Sequence, residues 1–137
     1  MKDIAEKLLA AFNGHDATAV AGLYTEGQVT ILPAEPEPVR GRAAKARMLS
    51  GFFRAFPDLK IELSLVLVSG NHIVCEGAMK GTHTGPLASH EGEIPPTGRG
   101  VVIPLVFVLR VSSDGLIEED RTYFDMAGFL GQLGLLG

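Results

Sequence analysis

The residues whose types and spacing most invite chemistry lie near the C-terminus, in the run Glu118-Glu119-Asp120-Arg121-Thr122-Tyr123-Phe124-Asp125. A carboxylate set in an apolar pocket can move a proton, and a phenol or guanidinium beside it can hold a developing oxyanion. If the run is a strand, Glu119, Arg121, Tyr123 and Asp125 share one face, and Glu118, Asp120, Thr122 and Phe124 share the other. Pattern alone leaves two readings open. The run is either a charged edge that discourages strand pairing, or the working face of a pocket with Tyr123 and Asp125 nearest its end. A second candidate is His83, set in Gly81-Thr82-His83-Thr84-Gly85, where it either lines a pocket or bonds to the backbone of a turn. His90, beside Glu91, is the nearest partner for a metal pair with His83, but the spacing is not helical and no third ligand is fixed, so no metal site is expected. Cys75 is the single cysteine; it reads as an inert buried thiol in a reducing compartment. No phosphate-binding loop, nucleophile elbow or dinucleotide fingerprint is present.

These side chains need elements to hold them. Ile4, Leu8, Leu9 and Phe12 recur at helical spacing over Lys2 to Phe12. Asp16 caps a second short helix from Ala17 to Tyr24. Gln28 to Leu32 reads as a short strand and Pro33 to Pro38 as an extended loop. The clearest helix runs from Arg42 to Phe56, with Ala44, Met48, Phe52 and Phe56 every four residues. Arg40, Arg42, Lys45 and Arg47 look like its solvated side. Leu59 to Val68 alternates as a strand, with Leu59, Ile61, Leu63, Leu65 and Leu67 on one face. A turn at Gly70-Asn71 leads to a strand from His72 to Thr82, with Gly77 and Gly81 marking bulges or bends. Thr84 to Gly98 is a Gly/Pro-rich loop. Gly100 to Val111 is a long apolar strand in which Pro104 predicts a bulge or an edge. Asp114-Gly115 turns the chain into the acidic last strand, and Met126 to Leu136 closes as a short helix. Segregated helices and a four-stranded meander predict an α+β fold, with helices on one face of a curved, mostly antiparallel sheet around a ligand cavity.

With 137 residues, 46% of them hydrophobic, the chain makes a single globular domain spanning 1–137. The net charge of −4 and the absence of a basic stripe argue against a nucleic-acid partner. No run approaches the ~20 apolar residues of a membrane span, and the N-terminus lacks a signal-peptide core. A cytoplasmic protein is expected.

Four strings then fall in a familiar order: Phe56-Pro57-Asp58-Leu59, Gly81-Thr82-His83-Thr84-Gly85-Pro86-Leu87, Ile94 to Val101 (IPPTGRGV), and the acidic run followed by Met126 to Gly134 (MAGFLGQLG). Together they resemble the SnoaL-like polyketide cyclases of the nuclear-transport-factor-2-like, or cystatin-like, superfamily. The resemblance implies a cone-shaped α+β barrel, a homodimer formed through the outer sheet face, and a small hydrophobic or polyketide-like ligand. It implies acid/base chemistry without metal or organic cofactor, such as aldol-type cyclisation of a polyketide ester or a related isomerisation. By alignment the family's aspartate falls on Asp125, with Tyr123 or His83 donating to an enolate oxygen. Tyr24, Met48, Phe52, Phe56 and Arg121 are expected to line the pocket. Some of these cyclases place a histidine on the preceding strand, where this chain has Leu109 or Arg110. The alternative function is a non-catalytic small-molecule-binding or accessory domain of the same fold.

Overall fold

A computed structural model describes residues 1–89 and 92–136. Helix α1 (Lys2–Asn13) buries Ile4, Ala5 and Leu8, and Leu9 and Phe12 of the predicted stripe pack partly buried against the core. His15 takes a left-handed φ of 55° in the turn that follows, and its ring stacks on Phe53 at 4.9 Å between centroids. Asp16 then caps α2 (Ala17–Ala21), accepting from the Ala19 N–H. This helix is shorter than expected, because Gly22 ends it and strand β1 (Tyr24–Ile31) begins at once. Tyr24 is therefore a strand residue.

Strand β2 (Val39–Arg40) pairs with β1 and leads into α3 (Arg42–Ala55). Strands β3 (Lys60–Ser69) and β4 (His72–Thr82) form the hairpin expected at Gly70-Asn71. Its bulge lies in β3, between Leu63 and Leu65, not at Gly77. That extra residue reverses the later alternation, so Leu65 and Leu67 face solvent although Ile61 faces the core. Gly77 instead permits close approach: a Cβ there would sit 1.9 Å from the Glu62 carbonyl oxygen.

The loop after β4 contains a small hairpin, β5 (Leu87–Ser89) and β6 (Gly92–Ile94). His90 and Glu91 lie outside the described residues. Strand β7 (Gly100–Val111) runs between β4 and β8 (Ile117–Phe124). Pro104 makes no bulge with β4; pairing to β8 starts only at Leu105, so Pro104 stands where β7 is locally an edge. Helix α4 (Met126–Gln132) closes the chain.

The six strands of the main sheet are ordered β2-β1-β8-β7-β4-β3, all neighbours antiparallel except β1 and β8. The fold is α+β, with a curved sheet and the helices around one face. Most apolar side chains meet in one core between that face and the helices, including Leu8, Leu49, Phe56, Ile73, Ile103 and Leu109.

Candidate active site

The helices do not fill the concave face completely. A cavity of about 90 Å³ remains, several times what one water needs. Its wall is apolar: Leu8 and Phe12 from α1, Met48 and Phe52 from α3, Leu105 and Phe107 from β7 are typical. The polar lining residues are Tyr24, Thr30, Lys45, Asp120 and Thr122, and these are bonded to one another.

Asp120 is the centre of that group. It is 1% exposed. Its Oδ2 accepts from the Tyr24 hydroxyl at 2.6 Å and from Lys45 Nζ at 3.1 Å. Its Oδ1 accepts from the Thr122 hydroxyl at 2.7 Å. Lys45, on the buried side of α3, also donates to Thr30 Oγ1 at 2.9 Å and lies over the Tyr24 ring, 4.4 Å from its centroid. The Thr30 hydroxyl donates to Gln28 Oε1, and the Gln28 amide nitrogen donates to the Val39 and Gly41 carbonyls. Burial is tolerable for these charges because each is paired and hydrogen-bonded. Burial and the adjacent Asp120 carboxylate push the Tyr24 phenol well above its ordinary 10, so Tyr24 keeps its proton and donates. Burial and the same carboxylate push the Cys75 thiol up to about 11. It is a protonated part of the cavity wall, in keeping with its reading as an inert thiol.

The inward face of β8 is thus the opposite of the one expected to work. Ile117 is buried, and strict alternation from it would turn Glu119, Arg121 and Tyr123 inward. A bulge intervenes: Val111 pairs with Ile117 but Arg110 with Glu119, so Glu118 is an extra residue. One inserted residue moves every later side chain to the other face. Asp120 and Thr122, on the face opposite Arg121 and Tyr123, line the cavity. Tyr123 is 43% exposed. Arg121 bonds Glu119 at 2.6 Å on the outer face, where Arg110 also pairs with Glu118 and Glu119; the two guanidiniums hold the Glu119 carboxyl below its usual range.

Asp125 is not in the cavity either. It is the N-cap of α4, and its exposed carboxylate accepts from the Gly128 N–H at 3.0 Å. Replacing Asp125 by Ala is expected to lower stability by about 0.5–2 kcal/mol and to leave turnover per folded molecule unchanged, as urea unfolding and an activity assay on the same preparation would show.

His83 is fully buried and does not line the cavity. It stacks on Phe56 at 5.3 Å, and its Nδ1 accepts from the Thr97 N–H at 3.2 Å. Its Nε2 has no partner among the described residues. Phe56 is also fully buried, packed between His83 and Phe129. Of the expected pocket residues, Tyr24, Met48 and Phe52 line the cavity; Phe56 and Arg121 do not. The expected trio of Asp125, Tyr123 and His83 occupies three separate places.

Burial holds the His83 imidazole below its ordinary 6.5. Below that pH the unfolded chain binds a proton that the folded chain refuses, so His83 makes stability fall as pH drops through and below 6.5. His83→Gln should flatten this slope. Equal slopes for both proteins in urea unfolding on either side of 6.5 would show that the imidazole charges freely in place.

Lys45 was read as part of the solvated side of α3, yet it is 3% exposed. A signal was present: Lys45, Leu49 and Phe53 form a row at four-residue spacing, and Leu49 and Phe53 are core residues.

With that geometry established, comparison with known proteins is informative. The sequence profile for SnoaL-like polyketide cyclases matches residues 2–133. The chain belongs to the SnoaL-like polyketide cyclase family. A comparison with curated proteins found no match. Among solved structures, the SnoaL-like chain is similar to IdmH, a proposed polyketide cyclase from Streptomyces antibioticus, with 28% identity, a TM-score of 0.78 and 97% of each chain covered. It is similar to AclR, a proposed hydroxylase from Streptomyces galilaeus, with 25% identity, a TM-score of 0.80, and 99% of this chain and 85% of that one covered. A protein of ketosteroid isomerase-like fold from Catenulispora acidiphila, solved with trimethylamine, shares 18% identity at a TM-score of 0.80, covering 97% and 93% of the two chains. That last likeness speaks to fold alone.

Proposed function

We propose that this SnoaL-like chain is a cyclase- or isomerase-type enzyme that moves a proton at a carbon next to a carbonyl, with Asp120 as the general acid/base. The observation that carries this reading is a carboxylate, the single one among the described lining residues, on the polar floor of an otherwise apolar cavity. Of its two oxygens, Oδ1 accepts only from Thr122 among the described residues, so Oδ1 is the one with room to take a proton. Tyr24 and Lys45 hold the other oxygen and fix the plane of the carboxylate. The apolar wall suits a small, largely hydrophobic ketone or polyketide-type ester. Aldol-type ring closure follows if the resulting enolate meets a second carbonyl of the same ligand, and isomerisation follows if the proton returns elsewhere. Neither route calls for a metal or an organic cofactor.

The closure of the Asp120 network favours a second reading, a binding domain without turnover, because a carboxylate with every near neighbour donating to it is also a good structural anchor. Deuterium exchange separates the two. A panel of aryl ketones and β-keto esters would be incubated in heavy water with the protein, and α-proton loss followed by NMR. Exchange faster than buffer, lost in Asp120→Asn, supports the enzyme. Ligands that bind yet exchange no faster than in buffer leave the binding domain. We place the working form in the cytoplasm, as a homodimer through the outer sheet face, where Leu67, Val102 and Tyr123 are exposed. Among the described residues no helix is long and apolar enough to cross a membrane.

A further inference from the structure

The cavity floor holds a cation whose balance changes when Asp120 takes a proton. The Lys45 ammonium carries three protons. Thr30 Oγ1 and Asp120 Oδ2 accept two of them; the Tyr24 ring and the cavity lie around the remaining one. With Asp120 ionised, Lys45 is neutralised at 3.1 Å. Once Asp120 is protonated, the ammonium is a buried cation without a counter-ion, which is strongly unfavourable. The other groups bonded to it or to Asp120 are neutral: Tyr24, Thr30 and Thr122. No other charged group lines the cavity among the described residues.

We propose that Lys45 is the oxyanion-binding group of this cavity, and that the ligand it takes is an enolate or a compound that becomes one there. The inference rests on Asp120 as the acid/base. In the step, the α-carbon of a ketone loses its proton to Asp120 Oδ1. The electron pair of the C–H bond becomes the enolate, and the negative charge moves from Asp120 to the ligand oxygen. Lys45 follows the charge, donating to the enolate oxygen with the Tyr24 hydroxyl nearby. Lys45 is neutralised by Asp120 before the proton moves and by the ligand after it. Its attraction therefore grows along the reaction coordinate, which is the condition for an interaction to raise a rate and not merely an affinity.

Asp120→Asn reproduces the shape of protonated Asp120 without its charge and supplies the test. The probe is 1,3-cyclohexanedione, ionised at neutral pH, with its neutral O-methyl enol ether as shape control; binding is read by calorimetry. Asp120→Asn is expected to bind the enolate about ten- to hundred-fold more tightly than wild type, with no such gain for the ether. The double variant Lys45→Met/Asp120→Asn should lose the gain. Titrating the unaltered protein in buffers of different ionisation enthalpy should show proton uptake on enolate binding, an arm that needs no variant to fold. Equal enolate affinity in the single and double variants, binding by wild type without proton uptake, or no enolate binding by any of the proteins overturns the proposal. If Asp120→Asn keeps full α-proton exchange while the affinity gain and its loss hold, the acid/base reading fails and the assignment of Lys45 stands.

Discussion

Asp120→Asn is expected to lower turnover by about 10²–10⁴-fold without unfolding the protein. The amide has the shape of the carboxylate, and its oxygen can still accept from Tyr24 and Lys45 at the Oδ2 position. Its nitrogen then faces the Thr122 hydroxyl, which reverses its role and accepts. What disappears is the ability to hold a substrate proton, together with the counter-charge of Lys45, so the variant is folded but less stable than wild type. The check is the rate of product formation or α-proton exchange, alongside circular dichroism and thermal unfolding of the same sample. A folded variant with the wild-type rate would remove Asp120 from the chemistry, leaving it as a ligand-binding or structural carboxylate.

The second large effect is on stability. Lys45→Met should destabilise the protein by about 3–5 kcal/mol. Methionine fits the apolar row of α3, so packing is not the cause. The cause is Asp120, left buried with hydroxyl donors but no cation beside it. Against the roughly 5–15 kcal/mol that holds a typical domain together, this is a large fraction. Removing the charge as well, in Lys45→Met/Asp120→Asn, should restore most of the loss, because an absent pair costs far less than half a pair. Urea midpoints with an unchanged slope would measure both effects. A double variant no more stable than the single one would place the damage in α3 packing.

Both effects centre on residues that the sequence shows only partly. The helices and turns were legible where punctuation is local: Pro57 behind α3, Gly70-Asn71 between β3 and β4, Asp114-Gly115 before β8. The four family strings led to the fold because they fall in order from Phe56 to Gly134. The cavity-facing side of β8 was not legible, because it depends on one bulge residue, Glu118, that is opposed to nothing on β7. Nothing in the local residue types announces that slip; only the pairing with β7 does. Asp125 was attractive because it follows an aromatic pair and precedes an apolar helix, but those are equally the surroundings of a helix cap. Tyr24 and Lys45 were each partly visible. Tyr24 was placed on the pocket but at the end of a helix, since Ala17 to Ala21 carries no obvious stop before Gly22. Lys45 was grouped with neighbouring arginines by charge, although its phase on the helix aligns it with Leu49 and Phe53.

The buried cluster also sets an order of events. Its members come from the first and last thirds of the chain: Tyr24 and Asp120 are 96 positions apart, Lys45 and Asp120 75 apart. The parallel pairing of β1 with β8 brings these distant segments together. During synthesis, then, Lys45 and Tyr24 leave the ribosome long before their acceptor exists. Sequence-distant contacts are the slow ones to form, and segments emerge from the N-terminus first. A nascent chain that stops short of β8 has helices α1 to α3 and the β3–β4 hairpin but neither the counter-charge nor the complete cavity floor. Activity should therefore appear only after the last strand is released, and proteolytic or genetic loss of that strand should leave an open, sticky half-barrel and not a weaker enzyme.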